Sequence, residues 1–248
     1  MKILILSGTT RPQYSTHKNH ALYAARHGYD YIFDIGPYTD LPSPFFHKVA
    51  AIQHHLPNYD WVFWLDDDAA FTRPDTSLEQ LVPEMGDNPT AIFCKSPINR
   101  GSWTYLSAGN FLTRRCDQAM VGLAAVLRTN LKDVHPWWDP DKLGSFTNGD
   151  QDAIVYQILH GNFGEVLRLE YQRFNTRPFH FENQADEHFL VHFTGWPGMT
   201  KQQQMSVFCE KFHVEGGLYP LSKIQIALNR VFPRLAQRKT TKNRFGVV

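Results

Sequence analysis

Short apolar runs alternate with amphipathic runs through the first hundred residues. Residues 2–6 (Lys-Ile-Leu-Ile-Leu) read as a strand, 15–27 as a helix and 31–35 as a second strand. An amphipathic segment follows at 45–56, then apolar runs at 61–65 and 91–94. Strands separated by helices in this order predict an α/β domain with a largely parallel sheet, and such sheets bind ligands at the carboxyl ends of their strands. The second half is less regular. Residues 103–113 read as extended, 116–129 as a helix with Met120, Leu123, Ala124 and Leu127 inward, and 133–148 as a loop rich in Trp, Pro and Gly. A helix is predicted at 151–160, strands at 166–171 and 189–193, and a helix at 201–212. There is no internal repeat and no dividing linker, so one domain over 1–215 with an extension over 216–248 is expected.

Composition narrows the class. The 248 residues are 42% hydrophobic and 14% aromatic, which supports a sizeable core and excludes a disordered chain. A net charge of +1 argues against a dedicated duplex-binding protein, because counterion release needs Lys and Arg that carboxylates do not offset. No nucleic-acid partner is expected. From residue 216 onward there is no Asp or Glu, and seven Lys and Arg give that tail a formal +7, leaving about −6 on the body. Ile224, Leu228, Val231 and Leu235 interleave with Arg230, Arg234 and Arg238. This pattern suits peripheral contact with an anionic membrane surface, although a solvated helix interrupted at Pro233 uses the same residues. The apolar run at 3–6 is too short for a signal-peptide core. No stretch approaches the roughly 18 apolar residues of a membrane span. Cys94, Cys116 and Cys209 show neither zinc spacing nor a disulfide framework, so a reducing, cytoplasmic setting is expected.

The chemistry concentrates where Trp61-Val62-Phe63-Trp64-Leu65 runs into Asp66-Asp67-Asp68 and then Ala69-Ala70-Phe71. Three adjacent carboxylates between apolar stretches repel one another and lose solvation, so something positive should compensate. In extended chain Asp66 and Asp68 point the same way and Asp67 elsewhere. Mg²⁺ or Mn²⁺, which takes one or two carboxylates plus substrate phosphates, fits that pair; a solvated turn after a strand is the plainer reading.

Other candidates carry two readings each. His192, in the apolar strand 189–193, is either a metal ligand or a core histidine with a backbone partner. Asp150 and Asp152 open a helix, where carboxylates cap backbone N–H groups, or they serve catalysis with Gln151 between them. Ser7-Gly8-Thr9 follows the first strand, where a bound ligand or a simple turn would sit. Lys18 and Lys48 answer an anion or lie on the surface. Gly109-Asn110 lets backbone approach a ligand, or forms a β-bulge. Trp103 and Trp137-Trp138 stack on an apolar ligand face or are core aromatics.

Taken in order, these pieces resemble glycosyltransferase family 34, the fungal galactosyl and mannosyl transferases and plant xyloglucan xylosyltransferases. The resemblance rests on Lys18-Asn19, Tyr23-Ala24, His27-Gly28-Tyr29, Lys48, residues 61–69, residues 108–112 with Arg114, residues 150–154 and residues 189–195, and covers about 2 to 200. It implies a GT-A fold (a nucleotide-diphospho-sugar transferase fold with a Rossmann-like mixed sheet flanked by helices), Mn²⁺ or Mg²⁺, and transfer with retention. The donor implied is a UDP-sugar, galactose in the first place, and the acceptor a glycan or lipid-linked saccharide. By the same resemblance Asp66, Asp68 and His192 hold the metal, Asp150, Gln151 and Asp152 form the catalytic group at the donor sugar, Ser7, Gly8, Thr9, Lys18, Lys48, Asp67, Gly109, Asn110 and Lys201 bind the donor, and Trp103, Trp137 and Trp138 offer an acceptor platform. Two departures stand out. The family's Gly-Cys pair is replaced by Gly195-Trp196-Pro197, which leaves Lys201 as the nearest basic residue for phosphate. The family's N-terminal anchor is not seen in this sequence, which implies a bacterial-type enzyme in the cytoplasm or at the inner membrane face. The rival readings are a metal-dependent phosphohydrolase of nucleotide sugars and a non-catalytic carbohydrate-binding module.

Overall fold

The computed structural model describes residues 1–10, 14–99, 101–184, 187–195 and 198–216. The expected basic extension lies outside them beyond Gly216, as do Trp196 and Pro197. The strands are β1 (Ile3–Gly8), β2 (Asp30–Asp34), β3 (Trp61–Asp66), β4 (Ala69–Phe71), β5 (Ala91–Cys94), β6 (Ser107–Arg114), β7 (Val166–Leu169) and β8 (Leu190–His192). The helices are α1 (His17–His27), α2 (His47–His55), α3 (Leu78–Leu81), α4 (Asp117–Leu127), α5 (Leu131–Trp137), α6 (Pro140–Leu143), α7 (Asp150–Leu159), α8 (Phe181–Gln184) and α9 (Gly198–Lys211).

Six strands form one sheet in the order β2-β1-β3-β6-β5-β7, and β4 pairs with β8 beside it. β1 runs parallel to β2 and β3, and β7 parallel to β5, but β6 is antiparallel to both of its neighbours. The sheet is therefore mixed rather than largely parallel. Its side chains alternate between two cores, as the two-residue period of a strand requires. Leu4, Leu6, Val62 and Trp64 meet Val49 and Ile52 of α2, Leu123 of α4 and Ile154 of α7. Ile3, Ile5, Trp61, Phe63 and Leu65 meet Tyr23 and Ala24 of α1, with Phe71 and Phe189. Because both faces are covered, β1 and β3 read as continuous apolar runs instead of alternating ones.

The small β4–β8 ladder was not evident in the sequence. Three residues directly after a carboxylate turn are too few for a strand signal, and the ladder is held from outside. Asn19 of α1 treats Phe71 as a strand partner would, donating to its carbonyl (3.0 Å) and accepting from its N–H (2.7 Å). His20 Nε2 lies 2.9 Å from the Ala69 carbonyl, and burial lowers its pKa to about 4, so the ring is neutral and donates there. A third apolar cluster, including Ala70, Val191, Phe193 and Met205, binds the ladder to α9.

Two local expectations are corrected. Residues 133–148 are not a plain loop: α5 begins at the Asn130 cap, whose side chain accepts from Lys132 N–H, and α6 at the Asp139 cap, which accepts from Asp141 N–H. Pro136 sits inside α5 and helped to hide it. The buried face of α4 is Ala119, Gly122, Leu123 and Val126; Met120 and Leu127 pack partly and Ala124 is half-buried.

Gly8 ends β1 where a Cβ would stand 2.1 Å from the Asp34 carbonyl oxygen, so a packing constraint demands glycine there. We expect Gly8→Ala to destabilise the protein by about 1–3 kcal/mol or more in urea titration, as overpacking against backbone does. An unchanged midpoint would contradict this packing.

Candidate active site

Asp66 is the last residue of β3, and the chain reverses through Asp67 and Asp68 into β4. The antiparallel register of β4 on β8 sets Ala69 opposite His192, and Phe193 N–H donates to the Asp68 carbonyl (2.9 Å). A histidine more than 120 positions away is thereby delivered to the carboxylate turn. Its Nε2 lies 3.2 Å from Asp68 Oδ1 and 3.9 Å from Asp66 Oδ2, and one ligand atom from each of the three residues falls within 4.8 Å of the others.

The segment preceding η-turn residues 178–180 explains the ring's orientation. Thr176 bridges Val191 in parallel, and His192 N–H donates to the Thr176 carbonyl (2.9 Å). Asn175 and Arg177, two apart in extended chain, therefore share the His192 side. Asn175 Oδ1 lies 3.2 Å from His192 Nδ1. With the Nδ1 proton donated to that amide, Nε2 faces Asp68 Oδ1, where it can share a proton with that carboxylate or, together with it, hold a cation. Two carboxylates and one neutral imidazole suit Mn²⁺ or Mg²⁺, so the residues present fit the metal that the resemblance implies.

Gly109 permits the arrangement. A Cβ there would stand 2.2 Å from His192 Cε1. The β5–β6 register jumps between the Phe93–Phe111 and Cys94–Ser107 pairs, so Ala108, Gly109 and Asn110 form a bulge on that edge. The bulge expected as one reading of Gly109-Asn110 is present, and the group that approaches Gly109 closely is the His192 ring. Asn110 is fully buried, its amide finds no partner among the described residues, and it faces the same side as its cross-strand partner Leu65.

Two lysines answer the carboxylates. Lys48 of α2 is buried rather than on the surface; its Nζ lies 2.8 Å from Asp66 Oδ1, 3.4 Å from Asp150 Oδ2, and donates to the Ala108 carbonyl (2.9 Å). Burial alone would lower its pKa, but Asp150 and Asp66 outweigh burial and raise it. Lys201 of α9 pairs with Asp68 Oδ2. Burial would raise the Asp68 carboxyl, yet His192 and Lys201 hold it well below the usual carboxylate range. Asp67 has no such partner: burial, then Asp68 and Asp66, push it up to about 7. Burial likewise pushes Asp150 up to about 6, with Asp66 opposing Lys48.

These groups surround a cavity of about 280 Å³, lined by Lys48, Asp66, Gly109, Asp150, Gln151 and His192 among others. Asp150 opens α7 from Gly149. Gln151 Oε1 accepts from Ala108 N–H (3.1 Å), which leaves its amide nitrogen for the cavity. Asp152 does not line the cavity. Its carboxylate is consumed by Thr147 N–H (2.9 Å), Thr147 Oγ1 (3.0 Å) and Gly149 N–H (3.2 Å), so it is a positioning residue that shapes the turn.

The remaining expected residues are spread more widely. Ser7 is buried and bonded to Tyr31 OH (2.9 Å), and Thr9 N–H donates to the Asp34 carbonyl (3.1 Å). Lys18 is exposed on α1. Trp138 is buried with its indole N–H on the Gly144 carbonyl (2.8 Å), Trp137 packs on Tyr156 and His160, and Trp103 is half-buried. None of the three tryptophans lines the cavity. Arg177, which does line it, escaped sequence reasoning; its one local sign is the Asn175-Thr176-Arg177 alternation before Pro178.

A solved glycosyltransferase involved in glycosylating the major capsid of PBCV-1 superposes with a TM-score of 0.65 at 16% identity, covering 84% of this chain and 100% of that one. The fold is GT-A. The model of the galactosyl transferase GMA12/MNN10 family, glycosyltransferase family 34, matches residues 9–87, the stretch that carries α1, Lys48 and the carboxylate triplet. Over those residues the chain is similar to that family. Xyloglucan 6-xylosyltransferase 4 of Arabidopsis thaliana is 27% identical over 166 residues, which is 57% of this chain and 30% of that protein. Probable glycosyltransferase 2 of Oryza sativa subsp. indica is 24% identical over 165 residues, 58% of this chain and 32% of that protein. The chain thus spans about a third of the length of these curated relatives. No described helix is long and apolar enough to cross a membrane.

Asp67 and Asp150 titrate above the ordinary carboxylate value of 3.8, so the folded state binds protons more tightly than the unfolded chain. Their contribution to stability is present at low pH and lost as pH rises from about 4 to about 7. In EDTA, Asp67→Asn should raise the thermal midpoint at pH 8 and change it little at pH 5. A larger gain at pH 5 would contradict the repulsion. Gly109→Ala should abolish Mn²⁺ binding, read by Mn²⁺ paramagnetic resonance, by displacing His192; wild-type affinity would show that the close approach is relieved another way.

Proposed function

We propose that this chain is a metal-dependent, retaining glycosyltransferase that moves a hexose, in the first place galactose, from a UDP-sugar to a glycan or lipid-linked acceptor. The observation that carries the reading is the convergence of Asp66 and His192 with Asp150 and Gln151 on one cavity of about 280 Å³ at the carboxyl end of β3, with an Asp68 oxygen within 4.8 Å of the Asp66 and His192 ligand atoms. A diphosphate donor needs its negative charge answered on one side and its sugar oriented on the other, and the cavity has a group for each.

Asp66, Asp68 and His192 would hold a divalent cation, which when bound draws charge from the leaving diphosphate. Lys48 sits between Asp66 and Asp150, within ion-pair distance of both, and fixes their separation. As the bond from the anomeric carbon to the diphosphate oxygen breaks, its electron pair stays on phosphate and positive charge grows on the sugar. The Asp150 carboxylate is placed to stabilise that charge, and the Gln151 amide nitrogen to donate to a sugar hydroxyl or ring oxygen. The acceptor hydroxyl forms the new bond, and its proton leaves with the phosphate. Retention rests on the family resemblance. The basic segment beyond residue 216 supports a setting at the inner face of an anionic membrane, where a lipid-linked acceptor would be met.

A thermal-shift panel of UDP-galactose, UDP-glucose, UDP-xylose and GDP-mannose should show stabilisation by one UDP-sugar only with Mn²⁺ present. Asp68→Ala should lose that stabilisation while keeping its circular dichroism. Donor binding that ignores Mn²⁺ would sink the proposal, and release of free sugar phosphate without transfer would favour a phosphohydrolase.

A further inference from the structure

The 280 Å³ cavity adjoins a groove of about 950 Å³ along α9, and Arg177 and Thr194 line both. Arg177 is 5% exposed. Its Nη1 donates to Asn175 Oδ1 (2.8 Å) and to the Asn175 carbonyl (3.3 Å), and lies 3.2 Å from His192 Nδ1. None of the three partners is a carboxylate. Among the described residues Arg177 forms no ion pair, and its Nε and Nη2 make no hydrogen bond, whereas Lys48 and Lys201 of the same site each hold a carboxylate. Asp68 acts on this guanidinium only from a distance, without a direct pair; burying it so is costly, and its planar fork matches two oxygens of one phosphate.

We propose that Arg177 binds the diphosphate of the donor, reaching it from the groove side of His192 while the carboxylates lie on the Nε2 side. The inference rests on the glycosyltransferase reading and adds to it a binding residue and a direction of approach. The charge left on phosphate when the sugar departs develops beside Arg177, at the mouth of the groove through which an acceptor would enter. Asn175 then has two tasks, orienting His192 through Nδ1 and Arg177 through Nη1.

The test is calorimetric titration of UDP and of uridine in Mn²⁺, on wild type and on Arg177→Gln and Arg177→Lys. Removing a charge-assisted contact should weaken UDP about ten- to a hundred-fold in Arg177→Gln and leave uridine unchanged, with Arg177→Lys recovering part of the loss. Mn²⁺ affinity without nucleotide should stay at the wild-type value; a parallel loss of Mn²⁺ binding would show that Arg177 only positions His192 and would overturn the proposal. Equal UDP affinity in wild type and Arg177→Gln would also overturn it, assigning the guanidinium to another anion such as an acidic acceptor. Should Arg177→Gln not fold, the ¹⁵Nε resonance of Arg177 in wild type decides: it should move on adding UDP and stay put with uridine. Wild type that binds no UDP at all overturns the glycosyltransferase reading and this inference together; loss confined to the variants speaks to Arg177 alone.

Discussion

Four carboxylates, Asp66, Asp67, Asp68 and Asp150, are held close together at the edge of a buried sheet, and their mutual repulsion is the constraint that the site is built around. Two unit charges 4 Å apart interact by roughly 4 kcal/mol at an effective dielectric of 20, so several such pairs are not tolerable without opposing charge. The protein supplies it from separate elements: Lys48 from α2 and Lys201 from α9, each within ion-pair distance of a ligand carboxylate. Among the described residues Asp67 has no such partner, and burial, then Asp68 and Asp66, raise its pKa. The compensation is incomplete, because among those residues a buried Asp68 oxygen still accepts no hydrogen bond. A site with this deficit is suited to taking up a cation and then an anion in turn.

Backbone geometry turns that electrostatic need into a defined place. The β4–β8 ladder fixes His192 against the Asp turn, the single parallel bridge of Thr176 to Val191 fixes Asn175 and Arg177 against His192, and the bulge in β6 clears room by placing Gly109 where no side chain fits. Each device is a main-chain feature, so the side chains that bind inherit positions set by hydrogen-bond register. On the opposite wall the first turn of α7 presents Asp150 and Gln151, while Asp152 closes the preceding turn. Adjacent acidic residues thus divide labour, one facing the cavity and one holding the frame.

The relation between the two cavities gives the site a direction. The smaller one is polar and ringed by charge; the larger carries exposed apolar residues, including Phe179 and Val207, and meets the smaller at Arg177 and Thr194. A charged donor on one side and a less polar acceptor on the other would meet at that junction.

Local pattern alone determined a good deal. The apolar runs at β1, β3 and β5, the helix α1 ending at Gly28, and the Asp66-Asp67-Asp68 turn all follow from side-chain period and turn chemistry within a few residues, and so were legible. His192 and Asp150 were legible as candidates but not as neighbours of one another's partners. What tertiary structure decided was everything that depends on long-range register: that β6 runs antiparallel, that β4 and β8 pair, that Lys48 is buried between Asp66 and Asp150, and that Arg177 enters the site. The physical reason is that a side chain's neighbours along the chain set its local conformation, whereas charge compensation and close packing are settled between residues far apart in the chain, such as Lys201 and Asp68, separated by 133 positions.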